Sequence, residues 1–239
     1  MIIVPVSGGK DSTATLLLAL ETGEEVVAVH NNTGWDHPDT YNYLNYLEGS
    51  LNLKIHHTFF DEAPTMPDII RKYKRFPFGL GRFCTSEYKR TAFIRWLNKV
   101  EGTGEIWLGL REDESGLRRR KYGGMSPEEL HNMDELFPRR YPKKIKSRFK
   151  YKLPVLQWTK EDVFSFITQK GILRNPLYDK GFDRVGCFPC LLSSSKTMDK
   201  AFKDPFGLQQ LEILRGLEVE LGIKFENSPE DSTCEACKI

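Results

Sequence analysis

The sequence predicts an α/β fold built on a parallel sheet, followed by a small cysteine-bearing segment. Three observations predict it. Short apolar runs alternate with stretches of helical spacing from the first residues onward. A glycine turn, Ser7-Gly8-Gly9-Lys10-Asp11-Ser12, joins the first apolar run to the first helical one. Two Cys-x-x-Cys pairs stand late in the chain, at Cys187/Cys190 and Cys234/Cys237. The expected division is a nucleotide-binding domain over residues 1–170 and a metal- or cluster-bearing segment over 171–239 packed on it.

Residues 2–6 read as a buried strand, and the apolar run over 14–20 reads as the helix after the turn. Residues 24–30 form a second apolar strand, and Pro38 suits the first turn of a helix that follows. Alternation over 53–59 suggests a third strand. Two strand–helix units followed by a strand imply parallel pairing with right-handed crossovers. Residues 76–83, rich in Gly, Pro and aromatics, read as a loop. Ala92, Phe93, Trp96, Leu97 and Val100 recur at helical spacing. Residues 105–110 read as a strand that exits into Gly109, Leu110 and Arg111. Residues 153–158 are assigned to a further strand. Thr159 and Asp162 form a capping box for the helix after it. Leu211, Leu214, Leu217 and Leu221 give a last helix its packed stripe.

Composition narrows the function classes. The chain has 239 residues, 39% hydrophobic and 28% charged, with a net charge of +2. These values suit a globular protein with a substantial core. No apolar run approaches membrane-spanning length and the chain opens inside a strand, so a cytoplasmic protein without a signal peptide is expected. Five cysteines at this length are not a disulfide scaffold. Residues 139–152 carry eight basic side chains and no acid. That strip reads equally as a solvated loop or as a surface for DNA or RNA.

The glycine turn points to phosphate. A strand, a turn and a helix N-terminus bring backbone N–H groups and a positive dipole to one concavity. Gly8 and Gly9 admit close approach of oxygens. Lys10 adds a full charge, and Ser7 and Ser12 add hydroxyls. Asp11 beside phosphates calls for a cation, and Mg²⁺ is assigned to it. The bland alternative is a turn that only joins strand to helix. Asn32, Thr33 and Gly34 follow the second strand, and Arg111 and Arg118 follow a later one, so all are candidates at the same sheet edge. Trp35 reads as a base-stacking or a packing residue. Arg82, Lys89 and Arg90 suit an anionic substrate or plain solvation.

Two Cys-x-x-Cys loops can complete a tetrahedral thiolate set. Cys187, Cys190, Cys234 and Cys237 therefore suit structural zinc or a [4Fe–4S] cluster equally, the competing view being a redox pair. Cys84 is left over, as a reactive thiol, an alternative ligand or a core residue. Its basic neighbours favour thiolate.

Several pieces in order resemble the phosphoadenosine phosphosulfate (PAPS) reductase-like family of pyrophosphate-loop proteins: Ser7 to Ser12, residues 32–40, Arg82-Phe83-Cys84-Thr85, residues 109–115, Asn175-Pro176-Leu177-Tyr178 and residues 184–190. The resemblance implies a Rossmann-like adenine nucleotide α-hydrolase-like fold. It also implies an ATP or PAPS-type nucleotide over the strand ends and a [4Fe–4S] cluster in preference to zinc. Catalytic roles fall on Lys10, Asp11, Arg111 and Cys84. The chain departs from true reductases at its end, where Thr233-Cys234-Glu235-Ala236-Cys237 replaces their Glu-Cys-Gly element, and at Phe83-Cys84, where cluster-bearing reductases have two cysteines. The leading expectation is thus an ATP-dependent adenylating enzyme for sulfur or nitrogen transfer, with nucleic acid as a candidate acceptor and a sulfur-donor protein as partner. A thiol-dependent reductase served by thioredoxin, and a non-catalytic nucleotide or nucleic-acid binder, stand as alternatives.

Overall fold

A computed structural model describes residues 1–79, 81–136 and 141–225. The described chain divides into two units, each woven from three segments. The first comprises residues 1–31, 38–58 and 93–185; the second comprises 32–37, 59–92 and 186 onward.

The first unit holds a six-stranded sheet in the order β3-β2-β1-β4-β6-β5. Its strands are β1 (Ile2–Pro5), β2 (Val26–Asn31), β3 (Ile55–Thr58), β4 (Gly104–Trp107), β5 (His131–Asn132) and β6 (Phe149–Lys152). All neighbouring pairs are parallel except the edge pair β5–β6. Ile2, Ile3 and Val4 are buried on both sides of β1, as a central parallel strand requires. Helices α1 (Lys10–Glu21) and α2 (Pro38–Leu51) follow the first two strands. Leu16, Leu17, Tyr43, Leu44 and Leu47 join Ile2 and Val4 in one core cluster on the first face. Ile3, Val29, Phe93, Leu97, Phe149 and Tyr151 build the cluster on the other.

The second unit carries α3 (Met66–Tyr73), a π-helical turn over Thr85–Thr91 and, late in the chain, two further helices, while α4 (Ala92–Lys99) belongs with the first unit but for its first residue. Between these lie α5 (Gly116–Tyr122), α6 (Met133–Leu136), α7 (Lys143–Lys146) and α8 (Lys160–Gln169) of the first unit. The late pair is α9 (Ser195–Ala201) and α10 (Pro205–Leu221). Trp35, Ile69, Ile70, Tyr88, Met198, Leu214 and Leu217 form the second unit's own core.

One expected strand is displaced. The last strand to pair with β4 is Phe149–Lys152, inside the basic stretch, whereas Leu153 to Trp158 turns away from the sheet. Phe149 and Tyr151 point inward at 1% exposure and Lys150 points out. This is ordinary strand alternation that the lysines conceal. The buried Leu153, Val155 and Leu156 fill the core from a turn. The capping box at Thr159 forms, with Thr159 Oγ1 accepting from the Asp162 N–H at 3.1 Å. Among the described residues, no helix is long and apolar enough to cross a membrane.

Candidate active site

The glycine turn lies where β1 hands over to α1. Gly8 sits at φ +74°, and a Cβ there would come 2.9 Å from the Thr40 methyl, so glycine is required twice over. Gly9 opens α1 with no side-chain cap, which leaves the first turn of the helix to be satisfied by other groups. Inside the turn the serines tie the loop to itself. Ser7 N–H donates to Ser12 Oγ at 3.1 Å, and Ser12 Oγ donates to the Gly9 carbonyl at 2.9 Å.

Lys10 and Arg111 converge on Asp11. Lys10 Nζ donates to Asp11 Oδ2 at 2.8 Å, and Arg111 Nε donates to Oδ1 at 2.6 Å. Arg111 also reaches Asp113 and the Trp158 carbonyl, each at 3.2 Å. Lys10 is 5% exposed and Arg111 is 3% exposed. Burial lowers the Lys10 pKa below the usual 10.5, against the pull of Asp11. Gly109, the last glycine before Arg111, lets β4's exit pass directly over the helix start. A Cβ on it would meet the Asp11 carbonyl carbon at 2.6 Å and the Ser12 nitrogen at 2.7 Å.

A second cationic layer stands behind the first. Ser115 caps α5 by accepting from the Arg118 N–H at 3.2 Å. Arg118 pairs with Glu114, and Arg184 Nη2 reaches Glu114 at 3.4 Å. Arg118 is brought down to about 10, first by burial, then by the Arg184 guanidinium, with Arg111 adding to it. Cations crowded enough to oppose one another's charge form a site that favours an anion.

Magnesium on Asp11 does not fit this arrangement. Both carboxylate oxygens already accept charged N–H donors, and an ion there would have to displace a buried lysine or arginine. Asp11 here accepts from two cationic side chains.

The remaining candidates lie in the second unit. Asn32 Oδ1 accepts from the Gly34 N–H at 2.8 Å, and Thr33 Oγ1 donates to Asp36 at 2.9 Å. Gly34 is at φ +58°, with its would-be Cβ 2.6 Å from the Pro64 carbonyl oxygen. Trp35 packs: it is 2% exposed and donates from Nε1 to the Pro189 carbonyl at 3.0 Å. Cys187 bridges to Asp36 in a short antiparallel pairing, and its thiol lies 3.6 Å from Thr33 Oγ1. Burial pushes the Cys187 thiol up to about 12. Cys84 is also raised, by burial and then by Cys190, with Lys89 opposing too weakly. Burial thus works against the thiolate that the basic neighbours of Cys84 favour. Cys187, Cys190, Asp36 and Cys84 together raise the pKa of Lys89, Cys187 most. Thiols around a lysine suit a negatively charged thiolate-ligated group. Among the described residues, however, no three ligating side chains close on one point. Cys234 and Cys237 lie outside the described residues.

The basic strip is partly structural. Lys146 pairs with Asp134, Arg148 donates to the Gly102 carbonyl at 2.8 Å, and Lys152 stands 4.8 Å over the Trp107 ring. Lys143, Lys144 and Lys150 are exposed. Arg139 and Arg140 fall outside the described residues. Residue-level reasoning missed Asn175, Tyr178 and Arg184 as parts of the site. Asn175 and Tyr178 reach the turn from more than 160 positions away and Arg184 reaches Glu114 from 70, and no spacing rule connects them.

Comparison with known proteins gives a consistent picture. The phosphoadenosine phosphosulfate reductase domain model matches residues 1–193. A 37.8 kDa protein of Escherichia phage 186 is 30% identical over 84% of the chain, which spans 70% of that protein. The phosphoadenosine 5'-phosphosulfate reductase of Aliivibrio fischeri is 26% identical over 75% of the chain, which spans 64% of the reductase. Among solved structures, PAPS reductase from Candida auris in a phosphate complex superposes with a TM-score of 0.54 at 14% identity, over 79% of this chain and 81% of that one. FMN adenylyltransferase from Candida glabrata, solved with FMN and the ATP analogue AMPCPP, gives 0.50 at 17% identity, over 79% and 55%. These last two likenesses concern the fold.

Proposed function

The chain belongs to the phosphoadenosine phosphosulfate reductase domain family, and on that premise we propose that it is an adenylating enzyme. It binds ATP with the phosphates on the turn over Ser7 to Ser12. A substrate oxygen attacks the α-phosphorus, the bond to the bridging oxygen breaks, and pyrophosphate leaves with that electron pair. A sulfur or nitrogen nucleophile then displaces AMP. The observation that carries this reading is the pair of buried cations, Lys10 and Arg111, held on either side of Asp11 at the start of α1.

The chemistry asked of the protein is positioning and charge stabilisation. Lys10 and Arg111 neutralise the charge gathering on departing pyrophosphate. Asp11 keeps both aimed at the turn before the ligand arrives, so little reorganisation is left to the reaction. Arg118 and Arg184 extend the positive field behind them. Lys143, Lys144 and Lys150 are what the basic strip leaves for a polyanionic acceptor such as nucleic acid. Cys187 and Cys190, with Cys234 and Cys237, are the thiolate set for a [4Fe–4S] cluster or zinc. When bound, such a group would supply electron transfer or a structural tie.

The test follows pyrophosphate release from ATP in the presence of candidate acceptors. Lys10→Ala and Asp11→Asn are expected to slow release by about a hundredfold or more. Release at the wild-type rate in both variants refutes the assignment. A second reading, reduction of an adenylyl sulfate by a thiol, draws support from the grouping of Cys84, Cys187 and Cys190 around Lys89. Sulfite formation with thioredoxin would favour it over adenylation.

A further inference from the structure

A short segment far along the chain grips the glycine turn from outside. Asn175 starts a 3₁₀ turn over Pro176–Tyr178, and its Oδ1 accepts from the Leu177 N–H at 3.0 Å. The same side chain donates from Nδ2 to the Gly8 carbonyl at 3.1 Å and is 1% exposed. Three residues on, the Tyr178 hydroxyl accepts from the Lys10 backbone N–H at 2.8 Å. That N–H is one of the donors at the head of α1 that a bound anion would otherwise take. The Tyr178 ring is fixed by an edge-on contact with Phe164, centroids 5.2 Å apart, and Lys10 Nζ lies 6.0 Å from its centroid.

A phenol has one proton to give and lone pairs to receive. In Tyr178 a lone pair is committed to Lys10, which leaves the proton to be aimed elsewhere. Asp11 and Arg184 are both close enough to act on the hydroxyl electrostatically. Burial raises its pKa well above the usual value, so the group stays protonated through the physiological range.

We propose that Tyr178 is a phosphate-binding residue: its hydroxyl receives the Lys10 main-chain N–H and passes its own proton to an oxygen of the nucleotide's phosphate chain. The turn then holds the phosphates partly through this relay and not through main-chain amides alone. Asn175 positions the relay by locking Gly8 from the same segment. The inference rests on the nucleotide-binding reading above and names a contact which that reading lacks.

Tyr178→Phe removes the hydroxyl and keeps the ring. Full-length wild-type and variant chains are titrated by calorimetry with ATP, inorganic pyrophosphate and adenosine, after denaturation curves confirm that both are folded. A hydrogen bond to a charged oxygen is lost, so pyrophosphate and ATP are expected to bind about tenfold or more weakly, with adenosine unchanged. Unchanged or tighter pyrophosphate binding overturns the proposal, because it would mean the hydroxyl only occupies the Lys10 donor until a ligand replaces it. Equal weakening for adenosine also overturns it, by showing a general structural effect. Wild-type protein that takes up neither ATP nor pyrophosphate removes the underlying nucleotide reading as well, an outcome distinct from a loss confined to the variant. Where Tyr178→Phe does not fold, the ultraviolet difference spectrum of wild type on adding pyrophosphate decides. A red shift of tyrosine absorption supports the donated proton, and its absence refutes it.

Discussion

Gly109→Ala gives a sharp test of how the site is held. The Cβ of alanine would lie 2.6 Å from the Asp11 carbonyl carbon and 2.7 Å from both its oxygen and the Ser12 nitrogen. These are backbone atoms of a helix start and cannot rotate away. Ordinary contact begins at 3.4 Å, so the strand exit and the helix must part by roughly 0.8 Å. Overpacking of this kind costs about 1–3 kcal/mol. The same movement draws Arg111, two residues on, away from Asp11, where its Nε now sits at 2.6 Å. Denaturant unfolding is therefore expected to show a loss of about 1–3 kcal/mol. Pyrophosphate affinity should fall further than that stability loss alone would cause, since folded protein is being titrated. Gly49→Ala is the matched control: it lies in the last turn of α2 with nothing within 4 Å of its would-be Cβ. It should gain roughly 0.5–1 kcal/mol from helix propensity and leave pyrophosphate binding alone. Should Gly109→Ala match wild type in both measurements, the tight crossing over α1 does not support the site.

Two further predictions concern charge and sulfur. Burial sets the Lys10 pKa below 10.5, so pyrophosphate affinity is expected to decline as pH rises through that lowered value, earlier than for an exposed lysine. Lys10→Arg should abolish this step, because arginine stays charged; a step that persists refutes the assignment. The same shift acts on folding with the opposite sign. Between the lowered value and 10.5 the unfolded chain binds more protons, so the Lys10 contribution to stability rises with pH. Protein purified without oxygen is expected to contain iron and sulfide, or zinc, and the Cys187→Ser, Cys190→Ser double variant is expected to lose it by elemental analysis. Full metal content in that variant would sink the thiolate assignment.

Contiguous chemistry was the legible part of this chain. The turn from Ser7 to Ser12 declares itself because strand, glycines, lysine and helix start are neighbours in sequence, and β1, β2 and β3 follow from apolar runs of strand length. Pairing across distance was not legible. Nothing near Asp11 in the sequence announces Arg111, a hundred positions later, which donates to one of its carboxylate oxygens. Strand β6 was hidden because Lys150 and Lys152 made residues 149–152 look like part of a solvated basic stretch, although Phe149 and Tyr151 carry the inward face. Cys84 stays open in sequence between a reactive thiol, an alternative ligand and a core residue, because adjacency to basic side chains says nothing of the burial that raises its pKa.

The second unit takes its core from residues 32–37, 59–92 and 186 onward. On the ribosome this order matters. Ile69, Ile70, Phe76 and Tyr88 emerge well before Leu191, Met198, Leu214 and Leu217, the side chains that complete their cluster. At about 5–20 residues per second, the earlier group waits on the order of 5–20 s for the later one. The nascent chain thus spends that interval with an apolar surface open to chaperones, and no contiguous fragment ending before α9 can close it.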